Sequence, residues 1–310
     1  MNRYKNIIPG LFAIILVVCG LNACNRYKPK TVDKTPVSFK SIANIPFIEV
    51  RRRLSNGMSF DNQGFQTEPS YKITFLTNDS ASVYSPDKKQ FINFLVFLEQ
   101  DSIFNVARSY FKMLQMNKDS LKLQVLEVEG DTLHMQRSLV YMTFYSADYI
   151  KSHHMDLDEL KKPDKRDTAF IIKKAEIARR IPDSAFAARQ PVTIKSKSAQ
   201  VIVNTAVNKP DVLNNFDASD NYMNPEFNII INKAYDNFSY SFLVYVDDKG
   251  QMSFDKPIDY IMPEFKDATI KTMKGIMDGY LKFYLQVTPG STLGIKHTSA
   301  VIVNVVGKKG

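Results

Sequence analysis

The sequence predicts an α+β fold. A β-rich N-terminal domain, a meander or barrel-like sheet, is expected to precede an α+β domain with an antiparallel sheet and one packed helix. Three observations predict this fold class. The chain of 310 residues is long enough for two domains, and its 21 Phe and 15 Tyr favour strands. Short β-rich runs separated by turn residues occupy the first half of the chain. The last third contains a hairpin pattern, an amphipathic helix and closing strands.

Residues 1–23 have the features of an export signal. Arg3 and Lys5 precede an apolar stretch of 15 residues, Ile7–Leu21. A bilayer span needs about 20 apolar residues, whereas the apolar part of a signal peptide is shorter. We therefore expect residues 1–23 to be removed during export.

The sequence Leu21-Asn22-Ala23-Cys24 resembles the lipobox of bacterial lipoprotein precursors. The resemblance implies cleavage between Ala23 and Cys24 and attachment of acyl chains to Cys24, each buried methylene adding about 0.8 kcal/mol of membrane binding. A secretory signal cleaved elsewhere and an uncleaved anchor remain alternatives. The chain has two cysteines, and Cys19 would leave with the signal. Cysteine catalysis and Cys-ligated zinc are excluded on this interpretation.

The charge pattern indicates which partners to expect. The formal net charge is +9, and loss of Arg3 and Lys5 with the signal would leave +7. Anionic lipid headgroups are the simplest acidic partner. Nucleic acid is not expected, because the basic residues are scattered and no nucleic-acid-binding motif accompanies them. Asn25 and the basic residues after it, rather than acidic ones, favour the outer membrane, with the folded part facing the periplasm.

Residues 24–50 are rich in Pro, Lys, Thr and Ser without a clear period, so we predict a flexible, lipid-anchored tether. About twenty such residues reach roughly 60 to 70 Å when extended. Arg51–Arg53 follow directly. We predict that they form a solvated strand end or turn, with contact to headgroups or to an acidic partner as the alternative.

Residues 51–150 are predicted to form the β-meander domain. The predicted strands are Tyr71–Leu76, Phe91–Leu98, Leu121–Val128 and Ser138–Tyr145. Apolar and polar residues alternate from Leu121 to Val125, which is the period of a half-buried strand. The run Ile103–Leu114 fits either a strand or a helix.

Residues 151–190 change to a charged loop followed by a helix, and are predicted to link the two domains. The helix is expected over Thr168–Ile181, with Asp167 as its N-cap and Pro182 ending it.

Residues 191–306 have the clearest pattern. Phe238–Val246 alternates as a strand, and Asp247–Gly250 supplies a hairpin turn. A helix is predicted over Pro263–Tyr280 and strands over 281–287 and 299–306. The apolar helix face comprises Ile270, Met273, Ile276, Met277 and Tyr280.

This order of hairpin ("VDDKG"), helix ("FKDATIKTM"), "TPG…G" connection and closing strand resembles the C-terminal domain of TonB-type proteins over Phe238–Val306. The resemblance implies that fold and a mode of partner binding by strand addition at an exposed sheet edge. It does not imply energy transduction, because a TonB transducer needs a transmembrane helix that a cleaved chain would lose.

Two similar segments raise the possibility of an internal duplication. "SAQVIVN" ends at Asn204 and "SAVIVN" at Asn304, and each follows a predicted helix. Chance similarity between strands rich in Val and Ile explains this equally well.

The chain carries no recognised catalytic motif: G-x-S-x-G, H-E-x-x-H and the P-loop are all missing from the sequence. His153 and His154, next to three acidic residues, and Asp217–Asn221 could bind a cation, but a solvated loop and an Asx-turn are favoured. We therefore predict no catalytic residue, no metal ligand and no cofactor other than the lipid on Cys24.

Three function classes follow. The leading hypothesis is a non-catalytic cell-envelope lipoprotein that binds other envelope proteins as part of a multi-protein assembly. The alternative is a carboxylate-based hydrolase of the envelope, which a pocket with converging carboxylates would support. The third class, an apolar-ligand carrier built on the N-terminal β domain, requires a deep barrel cavity.

Overall fold

The structure is a computed structural model that describes residues 36–77, 79–85, 88–130, 132–134, 139–207 and 219–310. The predicted signal and the lipobox, including Ala23 and Cys24, lie outside these residues. The described chain is mostly strand with few helices, which confirms the prediction of a β-rich α+β fold. In the ranges given, no helix is both long and apolar enough to cross a bilayer.

The N-terminal half forms a closed antiparallel barrel. Eight strands pair in the cyclic order β1-β2-β3-β4-β5-β6-β7-β9, because β6 pairs with β7 and β9 pairs back to β1. The short strand β8 extends β7 as a hairpin. The strands are β1 (Pro46–Leu54), β2 (Lys72–Phe75), β3 (Ser80–Ser85), β4 (Gln90–Leu98), β5 (Ile103–Val106), β6 (Ser109–Met116), β7 (Ser120–Glu129), β8 (Thr132–His134) and β9 (Val140–Ser146). The ambiguous run Ile103–Leu114 is therefore the β5–β6 hairpin.

Aromatic side chains fill one end of the barrel. A 3-10 helix, Phe39–Ile42, closes this end, and both of its terminal side chains are fully buried. The ring of Phe39 stacks on Phe75 with centroids 3.8 Å apart and meets Phe104 edge-on at 5.1 Å. The prediction of a flexible tether through residue 50 is thus wrong for its last part, because these apolar side chains are buried in the barrel.

Three helices link the barrel to the second half: α1 (Ala147–Ser152), α2 (Leu157–Lys161) and α3 (Lys165–Arg180). A 3-10 turn, Pro182–Ser184, follows. The N-cap of α3 is Asp164 rather than the predicted Asp167. Asp167 completes a capping box from the third helical position and is fully buried.

The C-terminal half contains a five-stranded sheet in the order β11-β12-β18-β13-β14. The sheet was predicted to be antiparallel, but it is mixed, because β12 and β18 run parallel. Two smaller pairs, β10–β15 and β16–β17, flank it. The strands are β10 (Thr193–Ser196), β11 (Val201–Ala206), β12 (Glu226–Ala234), β13 (Phe238–Val246), β14 (Met252–Pro257), β15 (Leu285–Thr288), β16 (Ser291–Thr292), β17 (Ile295–Lys296) and β18 (Ser299–Lys309).

One face of this sheet packs on a helix. A short helix, α4 (Asp220–Met223), precedes β12. The helix that packs on the sheet is α5 (Lys266–Ile276), which begins after a 3-10 turn at Pro263–Phe265. It continues through a π-helical turn, Met277–Leu281, into α6 (Lys282–Tyr284). Its buried side chains pack on the central strands of the sheet. The strand predicted over 281–287 therefore begins only at Leu285, because the π-turn extends the helix by about one turn and keeps Leu281 buried.

The two similar segments lie in one sheet. β11 and β18 flank β12 on either side, and Asn204, Asn228 and Asn304 occupy one row across the three strands. β11 is an edge strand and β18 the central strand, so the two segments occupy unequal positions in this sheet.

Candidate ligand-binding cavity

A cavity of about 470 Å³ lies at the end of the barrel opposite the 3-10 helix. It is bounded by the end of β1 and the beginnings of β2, β6 and β9, and residues of the second half cover it from outside. Pockets for small ligands usually measure about 300–1,000 Å³. The size of the cavity therefore suits a small molecule or a short chain segment.

The cavity has an apolar wall and a polar wall. The apolar wall consists of barrel side chains: Phe111, Val125, Val140 and Met142. Polar side chains form the rest of the lining, with Phe65 among them: Arg52, Gln66, Thr67, Glu68, Ser70, Tyr71, Ser109, Arg189, Ser219 and Tyr222. Such a lining suits a ligand with one apolar and one polar end.

Arg52 is held in place by a buried carboxylate. Its Nε and Nη2 donate to the two carboxylate oxygens of Glu49 at 2.8 and 2.7 Å, and Glu49 is fully buried. The same carboxylate accepts the backbone N–H groups of Ser70 and Tyr71 at 2.9 and 2.8 Å. These bonds fix both the guanidinium and the loop that precedes β2.

Tyr71 lies in the lining of the cavity, but its hydroxyl oxygen is buried. Its ring packs near Phe111 and Phe144, with centroids 6.1 and 6.4 Å away. The hydroxyl is shielded from solvent and has no hydrogen-bond partner among the described residues. Burial raises the pKa of Tyr71 to about 12, against the smaller opposing effect of the Arg52 charge. The hydroxyl is therefore protonated at neutral pH and can donate a hydrogen bond.

Arg189 brings the second half of the chain to the cavity. Its Nη2 donates to Glu68 Oε1 at 2.7 Å, and its guanidinium carbon lies 4.7 Å from the ring centroid of Tyr222. Its backbone N–H donates to Thr292 Oγ1 at 3.1 Å, so the β16–β17 hairpin supports it.

Behind this hairpin lies His297, which is 1% exposed. Its ring stacks on Phe186 at 3.7 Å. Nδ1–H donates to the carbonyl of Thr298, and Nε2 accepts from the Thr292 hydroxyl, both at 3.1 Å. Burial lowers the pKa of His297 to about 4, so the ring is neutral at pH 7. The residue serves packing and hydrogen bonding between β16–β17 and the adjoining chain.

The loop between β1 and β2 forms part of the polar wall and is packed against the second half. Gly64 has φ +95°, and a Cβ there would lie 2.3 Å from the backbone oxygen of Ala187. Phe60 in the same loop is buried with Ile171 and Phe186. The sequence therefore places a glycine where two backbones approach too closely for a side chain.

The arginines predicted as a solvated strand end or turn lie near the end of strand β1, but only Arg51 is exposed. Arg53 is buried and donates to Asp167 and, at 2.6 Å, to Ser59 Oγ. Asp167 also accepts the backbone N–H of Ser59 at 2.7 Å. This ion pair joins the barrel to the beginning of α3. The prediction was wrong because the triplet alone does not reveal the two buried carboxylates that face it.

The cation-binding candidates of the sequence do not come together. His153 ends α1 and packs on Tyr149, and Asp156 is the N-cap of α2. Asp217 lies outside the described residues. Over the part of the chain that the structure describes, no group of three His, Cys, Asp or Glu side chains could hold a metal ion.

The polar wall was missed by sequence reasoning. Arg189 lies 137 residues after Arg52 in the chain, and only Arg52 belongs to a pattern noted in the sequence, the triplet Arg51–Arg53. One signal was present: Glu49 interrupts an apolar strand, and a carboxylate there requires a nearby cation.

The chain matches no protein-family model, and its sequence has no significant match to a curated protein. The lipobox and the TonB-type resemblance remain predictions.

Proposed function

We propose that this chain is a lipid-anchored, non-catalytic protein of the cell envelope that binds a small amphipathic ligand at the mouth of its barrel. The cavity of about 470 Å³, lined partly by apolar and partly by polar side chains, carries the proposal. Phe39, Phe75 and Phe104 fill the opposite end of the barrel. The ligand is therefore confined to the mouth rather than to a deep channel.

The anchoring part of the proposal is supported by the sequence. Cys24 would carry the lipid, and Asn25 with its basic neighbours would direct the protein to the outer membrane, facing the periplasm. Phe39 is the first side chain buried in the barrel, so about fifteen residues separate it from Cys24. A fully extended chain of that length would reach about 50 Å at roughly 3.3 Å per residue.

The hydrolase alternative receives no support from the cavity lining. Among the described residues, the cavity lining contains one carboxylate, that of Glu68, and Arg189 forms an ion pair with it at 2.7 Å. A general acid or base pair needs two carboxylates with different environments in one site.

A second candidate function is the binding of another envelope protein. The outward face of β4 exposes Phe91, Leu95 and Phe97, which are 54, 65 and 58% exposed. Exposed apolar stripes of this kind are typical of protein interfaces. Replacement of Leu95 by Lys should then abolish co-purification of an envelope partner while leaving the fold intact.

The small-ligand proposal is tested by filling the cavity. Val140→Phe adds volume at the apolar wall, whereas the neighbouring Leu139→Phe alters a side chain that is 50% exposed. The uncharged dye N-phenyl-1-naphthylamine should bind the parent chain and Leu139→Phe equally, and Val140→Phe at least tenfold more weakly. Equal binding by both variants, or no binding by any, would contradict the proposal.

A further inference from the structure

Three apolar side chains form a stripe on the outside of the barrel: Phe91, Leu95 and Phe97 of β4. Each is more than half exposed, whereas Phe94 and Leu98 of the same strand pack against the barrel core. This difference follows from the alternation of side chains along a strand. The stripe is therefore an apolar surface that contributes little to the core.

The stripe is a ridge rather than a groove. Leu95 faces Ser80 on β3, and Phe97 faces Asn105 on β5, so smaller polar side chains lie on both sides of it. A specific protein interface usually buries about 800 Å² on each partner, with matching shapes. Three side chains on a convex barrel provide a small part of that area, whereas a bilayer surface adapts to a ridge.

Tyrosine and lysine side chains adjoin the stripe near the mouth of the barrel. The ring of Tyr84 meets Phe91 edge-on with centroids 5.3 Å apart, and Lys72 Nζ lies 4.9 Å from the ring centroid of Tyr84. Tyrosine has an apolar ring with a polar tip, and lysine extends its charge beyond an apolar stem. Both are typical of surfaces that lie among lipid headgroups.

The other end of the stripe lies where the chain from the predicted anchor enters the barrel. Leu98 pairs with Phe104, and the ring of Phe104 meets Phe39 of the 3-10 helix at 5.1 Å. Phe97 is next to this pair. The fifteen residues from Cys24 to Phe39 extend to about 50 Å, and the stripe is about 20 Å long at roughly 3.4 Å per residue. The anchor can therefore be inserted in a membrane on which the whole stripe lies.

The two ends of the stripe differ in charge. Lys88 and Lys89 are exposed immediately before β4, at the mouth, and Asp79 and Glu99 are exposed at the opposite end. An anionic surface attracts the lysine end, while the anchor holds the end that carries the two acidic residues. Anchor and lysines together favour a stripe that lies along the membrane.

We propose that the stripe rests on an anionic bilayer surface and orients the anchored protein there. The inference rests on the lipid anchor of the proposed function. The acyl chains supply the attachment and keep the stripe at a high effective concentration near the lipid, so three side chains are sufficient to set the orientation. The barrel then lies on its side with its mouth next to the membrane. The bilayer is the alternative to the envelope protein considered above for the same side chains.

A single tryptophan tests the contact, because the chain has no Trp of its own. Phe97→Trp places the probe on the stripe, and Phe283→Trp is the matched control on a side chain of α6 that is 67% exposed. The acylated full chain is reconstituted in vesicles of phosphatidylglycerol and phosphatidylethanolamine with brominated acyl chains, which quench an indole on contact. Quenching should be at least about threefold stronger for Phe97→Trp, because interfacial side chains reach the boundary between headgroups and acyl chains.

A second substitution on the stripe tests whether its apolar character is needed. Leu95→Asp, added to Phe97→Trp, should reduce the quenching to that of the Phe283→Trp control, because a carboxylate disfavours insertion. Phe265→Asp, on a side chain that is 59% exposed before α5, should leave the quenching unchanged. Thermal unfolding verifies that each variant is folded. All variants should float equally with the vesicles, since the acyl chains hold them.

The outcomes separate this inference from the proposed function. An acylated protein that did not float with the vesicles would overturn the anchor and, with it, the membrane contact. Flotation with equal quenching of Phe97→Trp and Phe283→Trp would overturn the contact and leave the anchor standing. If, in addition, Leu95→Lys abolished co-purification of an envelope partner, the stripe would be a protein interface instead. Binding of the uncharged dye tests the small-ligand function independently of all these results.

Discussion

Three consecutive arginines in β1 have three different environments. Arg51 is exposed, Arg52 is paired with Glu49 at the cavity, and Arg53 is buried against Asp167. Adjacent residues of a strand point to opposite faces, so a triplet of identical residues cannot share one role.

The Arg53–Asp167 pair should dominate the attachment of α3 to the barrel. Arg53→Leu leaves a fully buried carboxylate without its cation, which typically costs about 3–5 kcal/mol. Arg51→Leu, two positions earlier on an exposed side chain, should change stability by no more than about 0.5 kcal/mol. Urea-induced unfolding measures the loss of unfolding free energy in each variant. Similar losses for Arg53→Leu and Arg51→Leu would contradict the buried ion pair.

His297 should make stability depend on pH. Its folded pKa of about 4 lies below the unfolded value of 6.5, so the unfolded chain binds more protons between these values. This contribution to stability is complete above about pH 6.5 and is lost as the pH falls toward 4. At 1.36 kcal/mol per pKa unit, the loss amounts to about 3 kcal/mol.

The control is His297→Gln, which can still donate and accept hydrogen bonds but does not titrate. Urea unfolding at pH 7 and pH 5 should show a smaller pH dependence for this variant than for the parent chain. The same pH dependence in both would show that other groups are responsible.

At the scale of the element, the 3-10 helix Phe39–Ile42 belongs to the barrel although its sequence is that of a linker. Only two of its four residues are buried, which gives no recognisable period. Phe39 and Ile42 are buried only because the end of the folded barrel provides an apolar surface for them.

Phe39→Ala should destabilise the barrel by about 3–5 kcal/mol, the usual cost of removing a buried aromatic side chain. Phe91→Ala removes the same atoms from a side chain that is 54% exposed, and should cost under about 1 kcal/mol. Thermal and urea unfolding of both variants make the comparison. If Phe39→Ala behaved like Phe91→Ala, the 3-10 helix would not close the barrel in solution.

At the scale of the whole molecule, the eight strands of the barrel close on themselves and only the short β8 pairs on one side, whereas the five-stranded sheet ends at β11 and β14. The cavity lies between the two halves, and Arg189 reaches it from the second half. Ligand binding at the mouth should therefore stabilise both halves together.

Membrane attachment should depend on Cys24 alone. Cys24→Ala removes the acylation site and the signal-peptidase recognition together, so the protein should lose fatty-acid labelling. It should either stay as an uncleaved precursor, held weakly by its short apolar segment, or become soluble after a salt wash. Cys19→Ala should change neither property, since that thiol lies in the segment predicted to be removed. The test is the intact mass of the protein extracted from membranes. A mature N-terminus at a residue other than Cys24, or a Cys24 without added acyl mass, would contradict the lipoprotein proposal.

The sequence by itself determined the β-rich α+β class, the strands around Phe91–Leu98 and Phe238–Val246, and the amphipathic face of α5. Each of these features follows from the spacing of apolar residues within one segment, so the local sequence is sufficient to predict it. Even there, the π-turn at Met277–Leu281 displaced the expected strand, because packing of Leu281 outweighed local preference.

Only the tertiary structure decided the closure of the barrel, the parallel pairing of β12 with β18, and the cavity. Arg52 and Arg189 both line it from positions 137 residues apart, and the acidic partners of Arg53 lie more than 100 residues away. Burial and ion pairing of this kind depend on which strands become neighbours. No short-range pattern records that choice, because a charged residue has the same local sequence whether water or a distant carboxylate compensates it.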